Sequence, residues 1–342
     1  MGGVQGSGSS FDSQGTAGDS PPPGRPVSAG LLCLAALLLL AASLMPFLTW
    51  KYAGMRTGRR VELQIQRDAW RYRYGGVTAD RAEYHTAAQY LWIPLLLCGC
   101  AATAVAALLY LRTRRRGPQP RSGAGYLAAG TTFGVAVATF AAVLPPSNRQ
   151  QDGDYTFSSG LWALVLAAIV AAAVVLKAVA APADSFPSAT RRADTRTGIA
   201  LVLTAVAAVP GALLDLLRDE AGGYSFSAWR IGIDGVTLWR WDFLPLLAGA
   251  LLALLTGLAL CAGRAARAPA IRGVAAVAAG TTFAMTLTAL TVAASYRLDG
   301  ADVFFDFGPF HGGDYAAGCR LLACGALAAA AAMVSAALSF RR

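Results

Sequence analysis

The densest set of residues able to do chemistry lies in "LDGADVFFDFGPFHGGDY" (298–315), which carries Asp299, Asp302, Asp306, His311 and Asp314. Oxygen-rich loops of this kind can hold calcium, but the spacing fits no EF-hand, and the segment reads as a solvated acidic loop. The chain has only two histidines, His85 and His311, both between apolar runs, so no bundle of helices can offer paired imidazoles to a haem. Nucleophile-elbow, zincin and P-loop patterns are absent. Cys33, Cys98, Cys100, Cys261, Cys319 and Cys324 fall inside apolar runs or at the start of one, with no CxxC and no disulfide framework. They read as inert thiols. No catalytic residue, metal site or cofactor is expected, and the chain is not read as an enzyme.

Two other patterns carry information. "GTTFG" (130–134) has Gly-xxx-Gly spacing, and "GTTFA" (280–284) keeps a small residue at both ends. Such spacing lets helix backbones approach closely, and threonine can bond across the gap. Gly130, Thr131, Gly134, Gly280 and Thr281 are therefore expected at a helix–helix contact. A polar stripe along a solute path, extended by Thr286, Thr288 and Thr291, is the alternative.

The second pattern is "DAWRYRYGGVTADR" (68–81) and its near twin "SAWRIGIDGVTLWR" (227–240). Asp234-Gly235 is a two-residue hairpin turn by composition, and Gly75-Gly76 is expected to turn the first copy. Folding about these turns places Trp70 across from Arg81 and Trp229 across from Arg240, where a cation–π contact is geometrically allowed. "RVELQIQ" (60–66) alternates and could add a strand. Trp70, Arg71, Arg73, Arg81, Trp229, Arg230, Trp239 and Arg240 are the candidate outer recognition surface. The plainer reading is that the hairpins close the outer end of a bundle, packed on each other or on the helices.

The elements that must position these residues are hydrophobic. The chain is 56% hydrophobic and 14% charged, against roughly 45–50% and about 25% for an ordinary soluble domain. Eight apolar runs, about 28–50, 87–111, 124–145, 160–181, 197–217, 243–263, 273–294 and 316–339, each approach the roughly 20 residues that cross a bilayer as a helix. The net charge of +10 comes largely from arginines flanking these runs, such as "RTRRRG" (112–117), so lipid contact and topology explain it and nucleic acid is not expected. The middle of every run lacks Asp, Glu, Lys, Arg and His, which counts against ion-coupled transport. Residues 1–27, rich in Gly, Ser and Pro, read as a disordered cytoplasmic tail. The first run is not read as a signal peptide.

The motifs recur in order: the hairpin at an offset of 159, "AAGTTF" at 128–133 and 278–283, and "GDY" at 153–155 and 313–315. The chain therefore reads as an internal repeat of two four-helix units, 28–182 (hairpin 60–86) and 197–342 (hairpin 223–242), joined by a cytoplasmic linker, 183–196. Four spans per unit make the repeats parallel rather than inverted. Lys and Arg concentrate in the segments after the second, fourth and sixth runs, which puts both termini in the cytoplasm and the hairpins outside. The eight Lys and Arg between Lys51 and Arg81 run against that count.

Four helices, a long β-containing first outer loop and a shorter second one resemble the claudin-type tetraspan plan, and "AWR" shortly after the first helix of each unit is similar too. The disulfide-bearing Gly-Leu-Trp/Cys-Cys motif of that family is absent, so the resemblance concerns topology and transfers no site residues. The expected fold class is an all-α polytopic membrane protein of eight transmembrane helices with extracytoplasmic β-hairpins, lodged in the cell membrane. The expected role is a non-enzymatic envelope scaffold or accessory subunit. Its partners are the lipid bilayer and another membrane or envelope protein. A carrier for a neutral or hydrophobic solute is the alternative.

Overall fold

The computed structural model describes residues 25–56, 59–77, 82–116, 123–144, 153–179, 190–219, 224–233, 236–266, 268, 270–298 and 314–339. Most of the N-terminal tail, Arg81, the Asp234-Gly235 turn and the acidic run with His311 lie outside these residues.

Among the described residues there are eight α-helices: α1 Arg25–Leu44, α2 Trp92–Arg116, α3 Gly123–Val143, α4 Ser159–Val179, α5 Arg191–Leu213, α6 Phe243–Cys261, α7 Ala270–Leu298 and α8 Ala317–Ser339. Seven are long and apolar enough to cross a membrane, and the apolar part of the first, Ala29–Leu44, is shorter. These are the helices of a multi-pass membrane protein.

Strands occupy more of the chain than two hairpins would. They are β1 Leu48–Arg56, β2 Arg59–Arg67, β3 Arg71–Val77, β4 Ala82–Ala88, β5 Gly153–Phe157, β6 Leu217–Asp219, β7 Tyr224–Phe226, β8 Arg230–Ile233, β9 Val236–Trp239 and β10 Asp314–Tyr315. They form two antiparallel five-stranded sheets, ordered β4-β3-β2-β1-β5 and β10-β6-β7-β8-β9. In each sheet, four strands follow one helix directly (α1 or α5) and the fifth arrives from the segment before the third α-helix after it (α4 or α8).

The strands shorten the helices expected from apolar length alone. The first apolar run continues to Trp50, but α1 stops at Leu44. Pro46 has no N–H to give a helix, and beyond it the chain joins a sheet, with Phe47 N–H donating to the Arg67 carbonyl at 2.8 Å. Helix α2 starts at Trp92 because 82–88 is strand β4. Helix α5 stops at Leu213, followed by an extended Leu214, and Leu216 N–H donates to the Phe226 carbonyl at 2.6 Å. Apolar β residues and apolar helix residues look alike over so short a run.

The expected turn at Gly75-Gly76 is corrected. Both glycines lie inside β3, where Gly75 faces Gln64 and Tyr84, and Gly76 faces Leu63 and Glu83. Glycine pairs lack the side chain that makes Asn-Gly or Asp-Gly a turn signal. In the second sheet, Ile233 pairs with Val236 across the two-residue connection.

Helices α3 and α7 form the centre and are mostly buried, while the other six membrane-length or shorter helices surround them. Lipid tails give helices no hydrophobic reason to associate, so close van der Waals approach must supply the attraction. Glycine permits it here. A Cβ on Gly280 would stand 2.6 Å from the Leu127 carbonyl oxygen, and one on Gly130 would overlap the Val277 backbone. One on Gly134 would stand 2.5 Å from the Thr281 carbonyl oxygen. Because Gly130 meets Val277 and Gly134 meets Thr281, four residues on in both, the two helices run parallel. Their C-terminal ends, and with them both sheets, therefore lie at one end of the bundle.

The opposite end is braced by polar groups. Arg272 at the start of α7 grips Asp194 in the first turn of α5 with two parallel hydrogen bonds of 2.9 Å. The Thr197 and Ser335 hydroxyls meet at 2.8 Å between α5 and α8. Burying this fork desolvates both ions, which the bidentate geometry and the helix N-terminus beside Asp194 offset.

Candidate recognition surface and the contacts that position it

Each sheet is fastened to the helix before it by a tryptophan. Trp70 Nε1 donates to the Ser43 carbonyl at 2.6 Å, and Trp229 Nε1 donates to the Leu213 carbonyl at 2.8 Å. Those carbonyls belong to the last turns of α1 and α5, where the helix leaves its oxygens without internal partners. The alanine before each tryptophan, Ala69 or Ala228, is buried. The arginine after it is held by a carboxylate: Arg71 by Asp68 at 3.2 Å and, more loosely, Arg230 by Asp215 at 3.8 Å. "AWR" is thus a sheet-to-helix clamp in both places.

The clamp leaves part of each ring outside. Trp70 is 40% exposed and stacks on Trp92 with ring centroids 4.7 Å apart. Trp239 is 45% exposed and sits 5.1 Å from the Trp229 ring. Arg71 and Arg73 are exposed on the outward face of the first sheet, in register with Ala88 and Thr86 of β4. Lys51, Gln66, Thr86 and Thr156 are exposed on that same polar face. Its reverse holds Leu48, Trp50 and Arg67, all buried.

Arg240 does not belong to the exposed set. It is 6% exposed, and its guanidinium stands 4.6 Å over Phe226 and 5.5 Å over Tyr296, paired with Asp242. The cation over the Trp229 ring is instead its chain neighbour Arg230, at 4.7 Å. Arg81 lies outside the described residues.

The ladders explain the difference. Arg240 N–H donates to the Trp229 carbonyl at 2.8 Å, and in the first sheet it is Gln89 N–H that donates to the Trp70 carbonyl, at 2.7 Å. Arg240 therefore matches Gln89 in place, not Arg81. Phe226 in turn matches Arg67, since each carbonyl takes the N–H that follows the preceding helix. Arg67 is 9% exposed. Its Nε donates to Gln89 Oε1 at 3.3 Å and its NH1 to the Ala142 carbonyl, in the last turn of α3, at 2.8 Å. Each sheet thus buries one guanidinium beside the end of a central helix, where the helix dipole favours a cation. One sheet brings it from β2 and the other from beyond β9. Sequence reading missed Arg67, although it shares strand parity with Val61, Leu63 and Ile65 and so had to face inward.

The helix-packing residues Gly130, Thr131, Gly134, Gly280 and Thr281 all lie at the α3–α7 contact. Thr281 Oγ1 donates across it to the Gly130 carbonyl at 3.1 Å. Most other hydroxyls of this pair point home, although Thr282 Oγ1 also reaches the Gly249 carbonyl of α6 at 3.2 Å and the buried Thr139 Oγ1 of α3 has no hydrogen-bond partner among the described residues. Thr132 bonds the Ala128 carbonyl, Thr282 that of Ala278, Thr286 that of Thr282, and Thr288 that of Ala284, all between 2.7 and 2.9 Å. No group of three or more His, Cys, Asp or Glu able to hold a metal occurs among the described residues.

No family model, curated protein or solved structure matches this chain.

Proposed function

We propose that this protein is a non-enzymatic scaffold or accessory subunit of the cell membrane, presenting its two sheets outside the cell to another membrane or envelope protein. In this reading the chain is a tandem duplication of a four-helix unit, with both termini cytoplasmic. The identical strand order of the sheets and the paired tryptophan clamps favour duplication. So does the reciprocal packing of Gly130 and Gly280 across α3 and α7. The observation that carries the scaffold reading is the hydroxyl bonding of the central helices. Threonines bonded mostly to their own backbone or to a neighbouring helix carbonyl, with Thr139 the exception, and glycines in backbone contact favour a closed core, which suits a support better than a conduit.

The exposed face around Arg71, Arg73 and Trp70 is the proposed contact for the partner. A photo-crosslinking residue placed at Arg73 and at Thr86 in native membranes should capture one discrete protein from both positions. A position in the membrane face of α8, such as Leu327, should not capture it. A carrier would instead move a neutral or hydrophobic solute when reconstituted in liposomes. Saturable flux of such a solute, with no crosslink from the sheet, would replace the scaffold reading.

A further inference from the structure

The two sheets differ at one edge. In the first, the edge strand β4 runs seven residues, Ala82–Ala88, paired one to one with β3 throughout. In the corresponding place in the second sheet, β9 runs four. An open edge carries unpaired N–H and C=O groups that recruit another strand unless shortness, proline, lysine or a bulge prevents it. Shortness protects β9. The β4 sequence, "AEYHTAA", has no proline, lysine or bulge.

The ladder fixes which groups face the open side. Gln89 N–H donates to the Trp70 carbonyl at 2.7 Å, and bonded pairs alternate along an antiparallel ladder. Ala87, His85 and Glu83 therefore bond β3, while Ala88, Thr86, Tyr84 and Ala82 turn their main-chain groups away from it. Tyr90, next in that row, gives its N–H to Ser295 Oγ of α7 at 3.0 Å. Ala88 and Thr86 are exposed, and nothing among the described residues pairs with them on the open side.

Charge separates the sheets as well. Residues 51–81 hold eight Lys and Arg against Glu62, Asp68 and Asp80, whereas residues 217–239 hold Arg218 and Arg230 against Asp219, Glu220 and Asp234. Arg71 and Arg73 stand opposite Ala88 and Thr86, so only small side chains separate these two cations from the open edge.

We infer that an extended acidic segment of the outer partner adds to the β4 edge as a further antiparallel strand, with its carboxylates on the face of Arg71 and Arg73. The inference rests on the outer-partner reading and names the mode of contact. A row of main-chain donors and acceptors at strand spacing selects an extended chain. Residues of a bonded antiparallel pair share a face, so the partner residues that bond Ala88 and Thr86 are the ones that meet the arginines. Neighbouring strands lie about 4.8 Å apart, which puts β3 and the added strand within the combined reach of an arginine and a glutamate. A second copy of β4 in that place would bring two basic sheets together, so charge selects a foreign, acidic chain.

The full chain in phosphatidylcholine nanodiscs, where both membrane sides are accessible, tests the mode without the native partner. The probe is a fluorescent peptide of alternating glutamate and valine, read by anisotropy. It should bind, and its lysine–valine twin should not. N-methylation at the glutamates removes the N–H groups that face β4 and should weaken binding by about tenfold or more, whereas at the valines it should leave binding intact. Thr86→Pro, tolerable on an edge where the N–H points away from the sheet, should weaken binding as much, and Thr86→Val should not. In native membranes Thr86→Pro should also abolish the crosslink from Arg73. Equal binding by both N-methylated peptides, or no binding by the glutamate–valine peptide, overturns the inference even if Thr86→Pro unfolds the sheet. So does a dimer of this chain crosslinked through Ala88→Cys. A crosslink from Arg73 that survives Thr86→Pro in a folded chain would leave the outer partner standing and remove strand addition alone.

Discussion

At the scale of single residues, the same job is done twice by different side chains. The first sheet buries Arg67 with Gln89 beside it, and the second buries Arg240 with Phe226 beside it. A guanidinium is constant and its strand of origin is not. Each single exchange should therefore fail and the pair should recover. Phe226→Arg alone sets two buried cations side by side. Arg240→Gln alone leaves the Asp242 carboxylate without its cation, a loss of about 3–5 kcal/mol for a buried ion pair. The double variant restores one guanidinium and one amide, the arrangement of the first sheet, and its thermal midpoint should lie well above that of either single variant. Strictly additive losses would show that the two positions are not exchangeable parts of one device. Little of this was readable beforehand. Aligning the two motifs by identity put Gly76 beside Gly235 and Arg81 beside Arg240. The strands differ in length, though, seven residues in β3 against four in β8, so identities beyond Ile233 do not mark equivalent places. The clamp residues Trp70 and Trp229 did align, because they precede the strands whose lengths diverge.

At the scale of elements, the α3–α7 contact rests on backbone approach and should tolerate no added bulk. Gly280→Val would drive a branched side chain against the Leu127 carbonyl and Thr131 N–H, 2.6 and 2.9 Å from the new Cβ. Backbone cannot step aside cheaply, so a loss at the upper end of the roughly 1–3 kcal/mol typical of overpacking is expected. Gly125→Ala is the control. Its new methyl would meet only the tip of Leu109, at 3.3 Å, and thermal melting in detergent should barely move. Equal loss from both variants would remove glycine approach as the reason for this contact. The contact was legible in the sequence, since Gly-xxx-Gly in an apolar run has a physical meaning of its own. The strands were less so. An apolar run that ends in a β-strand, like 28–50, keeps its hydrophobicity across the boundary, and only Pro46 marks the change. The fifth strand of each sheet comes from "GDY", too short a segment to carry any alternation.

At the scale of the whole molecule, the parallel run of α3 and α7 sets both sheets at one end, and everything proposed about recognition depends on where that end faces. The seven tryptophans, at 50, 70, 92, 162, 229, 239 and 241, all lie in the sheets or at the helix ends beside them, while Arg191, Arg192, Arg264 and Arg272 lie at the opposite end. Tryptophan suits either interface, but arginine-rich short segments stay in the cytoplasm. The sheets should therefore be outside. The direct measurement is cysteine labelling in intact cells, with the six native cysteines replaced and single cysteines placed at Thr86 in the first sheet and Thr237 in the second. Both are expected to react fully with a membrane-impermeant maleimide added outside, with no further reaction when the cells are opened. Labelling of either position only after opening would contradict the account: of both, by inverting the molecule, and of one alone, by breaking the parallel arrangement of its halves.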